Sequence, residues 1–229
     1  MDSNQLRLGR LKAELTQVSA AARLGVSQPY LSQLENGRRP VTASLTRAAA
    51  KLYRLSPTVL PVSANAPKAK TDTDGFARQL AALGYPGYGH LRPSRPVNPA
   101  RVVAEALSEG NHDARVAEAL PWVLLQYAEL DWDWLVPQVK LRNVQNRLGF
   151  LVGVSRELAE SRPERAVAAA CLKEVELSLE GARLAAETTL SREAMPQAER
   201  EWLRVNRTPL ARHWNVLASL SSERLPYGS

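Results

Sequence analysis

The stretch "TQVSAAARLGVSQPYLSQLENGRRP", Thr16 to Pro40, decides how the N-terminal part of the chain folds. It reads as two short helices joined at a glycine. Thr16 can cap the first, "QVSAAARL", and Gly25 can take the left-handed conformation that ends it. Ser27 caps the second, "QPYLSQLEN", and Pro29 falls in its first turn, where a missing N–H has no intrahelical partner to lose. Ala21 is small where the two helices would cross closely. Val26, Leu31 and Leu34 have the spacing that seats the second helix on a core. That leaves Gln28, Pro29, Tyr30, Ser32 and Gln33 facing outward, followed by Asn36, Gly37, Arg38 and Arg39.

The flanks extend the pattern. "LRLGRLKAEL" puts Leu8, Leu11 and Leu15 at three- and four-residue spacing, the mark of one helical face. "TASLTRAAAKLYRL" reads as a further helix with Leu45, Ala49 and Leu52 inward, ended at Ser56-Pro57. Charge sets this head apart. Residues 1–70 hold 11 Lys/Arg against 3 Asp/Glu, whereas the rest of the chain holds 19 basic and 20 acidic residues. The whole excess of a chain with formal net charge +7 therefore lies at the front, which suits a polyanionic partner.

Thr16-Gln17, Ala21, Leu24-Gly25-Val26-Ser27 and "YLSQLENGRRP" together resemble the Xre/Cro-type helix-turn-helix domain of phage repressors and bacterial regulators. The resemblance covers residues ~5–60 and implies a five-helix, lambda-repressor-like fold that binds DNA. Two departures stand out. The chain reads "AELTQ" where many relatives have a glycine before the "LTQ" element, and Ala20 stands where leucine is common. Both predict an altered junction between the first two helices and a thinner core. A glutamine amide can match the paired N7 and N6 groups of adenine in the major groove. Gln28, Pro29, Tyr30, Ser32 and Gln33 are therefore the expected base contacts. The resemblance implies phosphate contacts from Gln17, Ser27 and Asn36, with Arg38 and Arg39 adding charge.

Beyond the head, 7 of the 15 prolines fall between residues 57 and 99. "PVSANAPKAKTDTDG" has almost no apolar bulk and reads as a linker. "GFARQLAALG" reads as one short helix after an Asp72–Asp74 capping cluster. From about Asn98 helical periodicity returns and lasts, with no alternating strand pattern, so the body is expected to be all-α with five or six helices. The domains expected are a DNA-binding head at 1–60, a connector at 61–97, and a helical dimerisation or partner-binding body at 98–229.

Candidate chemistry elsewhere is thin. His90, His112 and His213 lie far apart and in no ligand spacing. "DWDW", Asp131 to Trp134, is better explained by capping and the helix dipole than by paired acid–base carboxylates. The single cysteine, Cys171, amid "AVAAACLKEV", reads as a small buried apolar residue. The five tryptophans, all in the body, are expected to pack between helices, or in part to line a groove for a partner. No cofactor, metal or catalytic motif is expected. Neither a signal-peptide core nor a membrane span is apparent, which makes the cytoplasm the expected location.

The reading that follows is an all-α, two-domain, non-enzymatic transcriptional regulator, a repressor acting as a homodimer on a near-palindromic double-stranded operator. "LGYPG", "ARVAEALPWVLL" and "DWDWLVPQVKLRNVQNRLGFLV" look similar to the C-terminal parts of antitoxin-type regulators. This similarity implies a cognate toxin as partner and repression of a toxin–antitoxin operon. The alternative is a ligand-sensing repressor with a small-molecule pocket among the body's helices.

Overall fold

The computed structural model of the 229-residue chain describes residues 1–62, 73–109, 111, 113–192 and 194–225. His112, Asp72 and most of the expected linker lie outside them. The chain divides into two compact units, Met1–Ala66 and Pro67–Ser229.

In the first unit, α1 (Ser3–Lys12), α2 (Gln17–Leu24), α3 (Gln28–Glu35) and α4 (Ala43–Leu52) are followed by a single 3₁₀ turn, Pro57–Val59, in the place of a fifth helix. The caps are local and legible. Asp2 and Gln5 form a reciprocal capping box on α1. The hydroxyls of Thr16, Ser27 and Thr42 accept from the backbone N–H groups of Ser19, Tyr30 and Leu45. Gly25 ends α2 at φ +69°. The core is Leu6, Ala20, Ala21, Leu31, Leu34, Leu45, Ala49 and Tyr53, with Val26, Tyr30 and Leu52 partly buried against it.

The leucine spacing of α1 does not mark its buried face. Leu8 and Leu11 are 47% and 51% exposed, and the buried positions of α1 are Leu6, Gly9 and Arg10. Leucines recur at helical spacing on both sides of this helix, so periodicity alone cannot choose the inner face. The inner face is the one that carries a buried charge.

The junction between α1 and α2 keeps a left-handed residue although the chain has no glycine there. Glu14, exposed, sits at φ +54°, a left-handed conformation that costs an L-residue roughly 1–2 kcal/mol. Glu14→Gly relieves it, partly offset by the looser unfolded chain. The expected result is a head more stable by about 0.5–1 kcal/mol in denaturant titration followed by circular dichroism. A loss of stability would mean that the Glu14 side chain contributes more than its backbone costs.

In the second unit, α5 (Thr73–Ala82) packs on α6 (Pro99–Ser108) and α7 (Ala114–Gln126). The helical part of the expected connector is thus packed against the body. Then come α8 (Trp132–Leu141), α9 (Gln145–Glu160), α10 (Ala166–Glu180), α11 (Gln197–Asn206) and α12 (Pro209–His213). The long run from Trp132 to Leu158 breaks into α8 and α9 at Asn143, φ +55°. From α6 onward, seven α-helices are therefore present among the described residues, more than the five or six expected.

The centre of this unit is α9, buried without interruption from Gln145 to Ser155. It is surrounded by α7, α8, α10 and α12, and by a two-residue parallel pair, β1 (Thr188–Thr189) with β2 (Val216–Leu217). Two-residue strands leave no alternating pattern to read, which is why the sequence showed none. A helix buried all round must satisfy its polar residues internally. Asn146 accepts from the Leu184 N–H and donates to its carbonyl. Arg147 donates to the Leu107 carbonyl at 2.8 Å and to the Thr188 hydroxyl at 3.1 Å. Gly149 gives room to the fully buried Trp214 ring. Asp131 accepts from the Trp134 N–H at 3.0 Å, as a cap does. Cys171 is half-buried, and its thiol faces the Ala128 carbonyl at 3.3 Å; burial pushes its pKa up. Among the described residues no helix is long and apolar enough to cross a membrane, and no three His, Cys, Asp or Glu side chains group to hold a metal.

Candidate nucleic-acid interface

The outer face of the first unit is organised from beneath by a buried ion pair. The Arg10 Nε and Nη2 atoms donate to the two oxygens of Glu35 at 2.7 and 2.9 Å, a bidentate pair whose side chains are 9% and 1% exposed. Arg10 also donates to the Leu15 carbonyl at 2.9 Å, tying the end of α1 to the turn before α2. Burial alone would raise the Glu35 pKa, but the hydrogen bonds from Arg10 and Gln17, with the Arg10 charge, hold it below the usual carboxylate range. The hydrogen bond to Glu35 likewise raises the Arg10 pKa against the effect of burial. The carboxylate is therefore ionised at neutral pH and can only accept.

That fact propagates outward. Gln17, at the start of α2, donates its Nε2 to Glu35 at 2.9 Å, so its oxygen must point the other way. Gln28, at the start of α3, donates to that oxygen at 2.9 Å. One Nε2 hydrogen and the Oε1 of Gln28 are left over, an adjacent donor and acceptor. This is the pattern that the N7 and N6 of adenine complement. Charge at the core thus fixes the rotamer and the flip of a half-exposed amide two links away.

The other expected site residues fall in three groups. Ser27 is spent as the α3 cap, its oxygen accepting from the Tyr30 N–H at 3.3 Å. Asn36 donates to the Ser32 hydroxyl at 3.3 Å, while the Arg39 guanidinium lies 5.7 Å from the centre of the Tyr30 ring, within cation–π range. Tyr30 is therefore partly a core residue and partly a platform for Arg39. Pro29, Arg38 and Arg39 are exposed and Gln33 is half-buried; none of their side chains takes a hydrogen-bond partner among the described residues. Gln17 and Gln28 are thus joined directly, and Ser32, Asn36, Tyr30 and Arg39 pair locally. Sequence reasoning missed Arg10 and Glu35, which stand 25 positions apart. The available signal was that only three acidic residues occur in the first 70, one of them at the inner end of α3.

Comparison with known proteins agrees with this architecture. Residues 3–61 match the family model described as a helix-turn-helix domain. A stretch of 59 residues is 46% identical to part of a protein named Propionyl-CoA carboxylase regulator from Cereibacter sphaeroides, covering 26% of this chain and 13% of that relative. The chain thus corresponds to a small part of that relative's length. No solved structure matches the chain. With α2 and α3 as its paired helices and Gly25 at the turn between them, residues 3–61 are a helix-turn-helix domain.

Proposed function

We propose that this chain is a DNA-binding transcriptional regulator, a non-catalytic cytoplasmic repressor that acts as a homodimer on a near-palindromic operator. The observation that carries the reading is the relay from Glu35 through Gln17 to Gln28, which presents an amide edge, already oriented, on the exposed face of α3. Gln28, Pro29, Tyr30, Ser32 and Gln33 take the bases in this reading. Gln17, Ser27, Asn36, Arg38 and Arg39 take the phosphates. A protein named as a regulator is 46% identical over 59 residues, which supports a regulatory role.

The test begins with selection of bound sequences from a random duplex pool by the full chain. On the selected operator, Gln28→Ala and Gln33→Ala are each expected to cost ~1–3 kcal/mol, with little change on unrelated DNA. Equal losses on both DNAs in gel-shift titration would remove these residues from base readout. Arg38→Ala and Arg39→Ala are expected to weaken binding to every sequence. Each should also reduce the slope of log K against log salt by about one unit between about 50 and about 200 mM. An unchanged slope for both would show that neither neutralises a phosphate.

For the second unit, two heads on two half-sites call for self-association, which sedimentation of the full chain measures. Neutralisation of a cognate toxin is the role the sequence similarity implied for this unit, and ligand sensing its alternative. The ligand-sensing reading is favoured by a specific observation, an apolar cavity between α7 and α11.

A further inference from the structure

That cavity has a volume of about 400 Å³, within the range of small-molecule sites, ~300–1,000 Å³. Its apolar wall comes from Leu190, Met195, Trp202, Leu203 and Leu217. Leu203 and Leu217 are buried, but Trp202 is 56% exposed, a large aromatic left open at the mouth. Four charged residues also line the cavity: Glu118, Arg192, Glu199 and Arg224. Arg192 and Glu199 are spent on each other at 3.3 Å. Glu118 acts on the Tyr88 hydroxyl, whose pKa is raised first by burial and then by neighbouring charges that include Glu118. The Arg224 guanidinium has no hydrogen-bond or ion-pair partner among the described residues.

We infer that this cavity binds an unbranched aliphatic carboxylate, its chain among Leu190, Leu203, Leu217 and Trp202 and its carboxylate on Arg224. The inference rests on the ligand-sensing reading of the second unit. An unpaired guanidinium matches a carboxylate in a two-point hydrogen bond. Two carboxylates on the same lining, Glu118 and Glu199, disfavour a dianion such as a phosphate monoester by like-charge repulsion. Ser191 and Ser219 are the only hydroxyl residues of the lining, and Leu190, Leu203, Leu217 and Trp202 are apolar, so selectivity is expected to follow chain length.

The experiment is calorimetric titration of the full chain with hexanoate, octanoate and decanoate, and with the alcohols of equal length, below micelle-forming concentrations. Affinity should rise roughly fourfold per added methylene until the cavity is full. The carboxylate should bind about tenfold more tightly than its alcohol, as a charged hydrogen bond does. Arg224 is exposed, so Arg224→Gln should leave the fold intact, erase that tenfold preference and leave alcohol binding unchanged. Decanoate should shift Trp202 emission, and Trp202→Phe should lose the shift but keep the heat. Alcohols that bind as tightly as carboxylates would overturn the ligand class while leaving a ligand-binding unit in place. No saturable heat with any of the compounds would overturn both. Flotation with phosphatidylglycerol vesicles in the absence of free-carboxylate binding would overturn the inference in favour of a membrane surface. None of these readings depends on operator binding, so they stand apart from the reading of the head.

Discussion

Glu35→Ala is expected to unfold the helix-turn-helix domain while leaving the second unit intact. Removing the carboxylate strands the Arg10 guanidinium in the core, 9% exposed and short of both oxygens that satisfied it. Breaking a buried pair in this way costs about 3–5 kcal/mol, which is most or all of the stability of a domain of this size. The five tryptophans, at 122, 132, 134, 202 and 214, all lie in the second unit. Tryptophan fluorescence is therefore blind to the head, whereas far-ultraviolet circular dichroism sees both units. The variant should lose helical signal at room temperature with an unchanged fluorescence transition. Replacing both partners, Arg10→Met with Glu35→Leu, should recover much of the signal, since an apolar pair strands no charge. The pH dependence has a definite sign. Glu35 has a lowered folded-state pKa, so its contribution is present above about 4.3, the ordinary glutamate value, and is lost as pH falls through the lower folded value. Wild type should show this acid loss in the head and the double variant should not. Full helical signal in Glu35→Ala would refute the role given to the pair.

Gly149→Ala is expected to do the reverse, destabilising the second unit and sparing the first. A Cβ at Gly149 would lie 2.4 Å from Cζ3 of Trp214 and 2.5 Å from both Cε3 and Cη2. Trp214 is fully buried, so the ring cannot swing into solvent. Glycine to alanine in mid-helix would otherwise gain up to about 1 kcal/mol. Overpacking a dense core outweighs that, and a net loss of about 3 kcal/mol is expected, at the upper end for such changes. The fluorescence transition in urea should move to lower denaturant while the head's contribution to circular dichroism stays in place. Combining Gly149→Ala with Trp214→Leu should regain part of the loss relative to Trp214→Leu alone, because the ring that clashes is then absent. A stabilising Gly149→Ala would show that the helix has room to shift.

What could be read from the chain depended on sequence distance. The caps at Thr16, Ser27 and Asp131, and the turn at Gly25, are satisfied within three residues or so, and composition and order announce them. The outward position of Gln28 and Gln33 followed from where Leu31 and Leu34 had to go. Long-range complementarity was invisible. Arg10 meets Glu35 across 25 positions, and Gly149 meets Trp214 from far along the second unit's sequence. Nothing local marks either member. Leu8 and Leu11 misled for a related reason, since their spacing is that of a buried face and the true face is set by a partner elsewhere. The Trp132–Leu158 run concealed its break because asparagine enters the left-handed region without the glycine that would have advertised it.

The Glu35–Gln17–Gln28 relay also bears on how operator preference can change over time in such a regulator. In the proposed readout, a substitution at Gln28 alters the letter being read and at once removes the tether on Gln17, which then has an acceptor but no donor to answer it. Any new residue there inherits two tasks. Gln33 carries no such link to the interior. In that proposed readout, drift in the recognised sequence is cheapest at the base pairs assigned to Gln33, and most constrained at those assigned to Gln28. Lineages derived from this head would be expected to diverge first at one end of their half-site, holding the other end fixed.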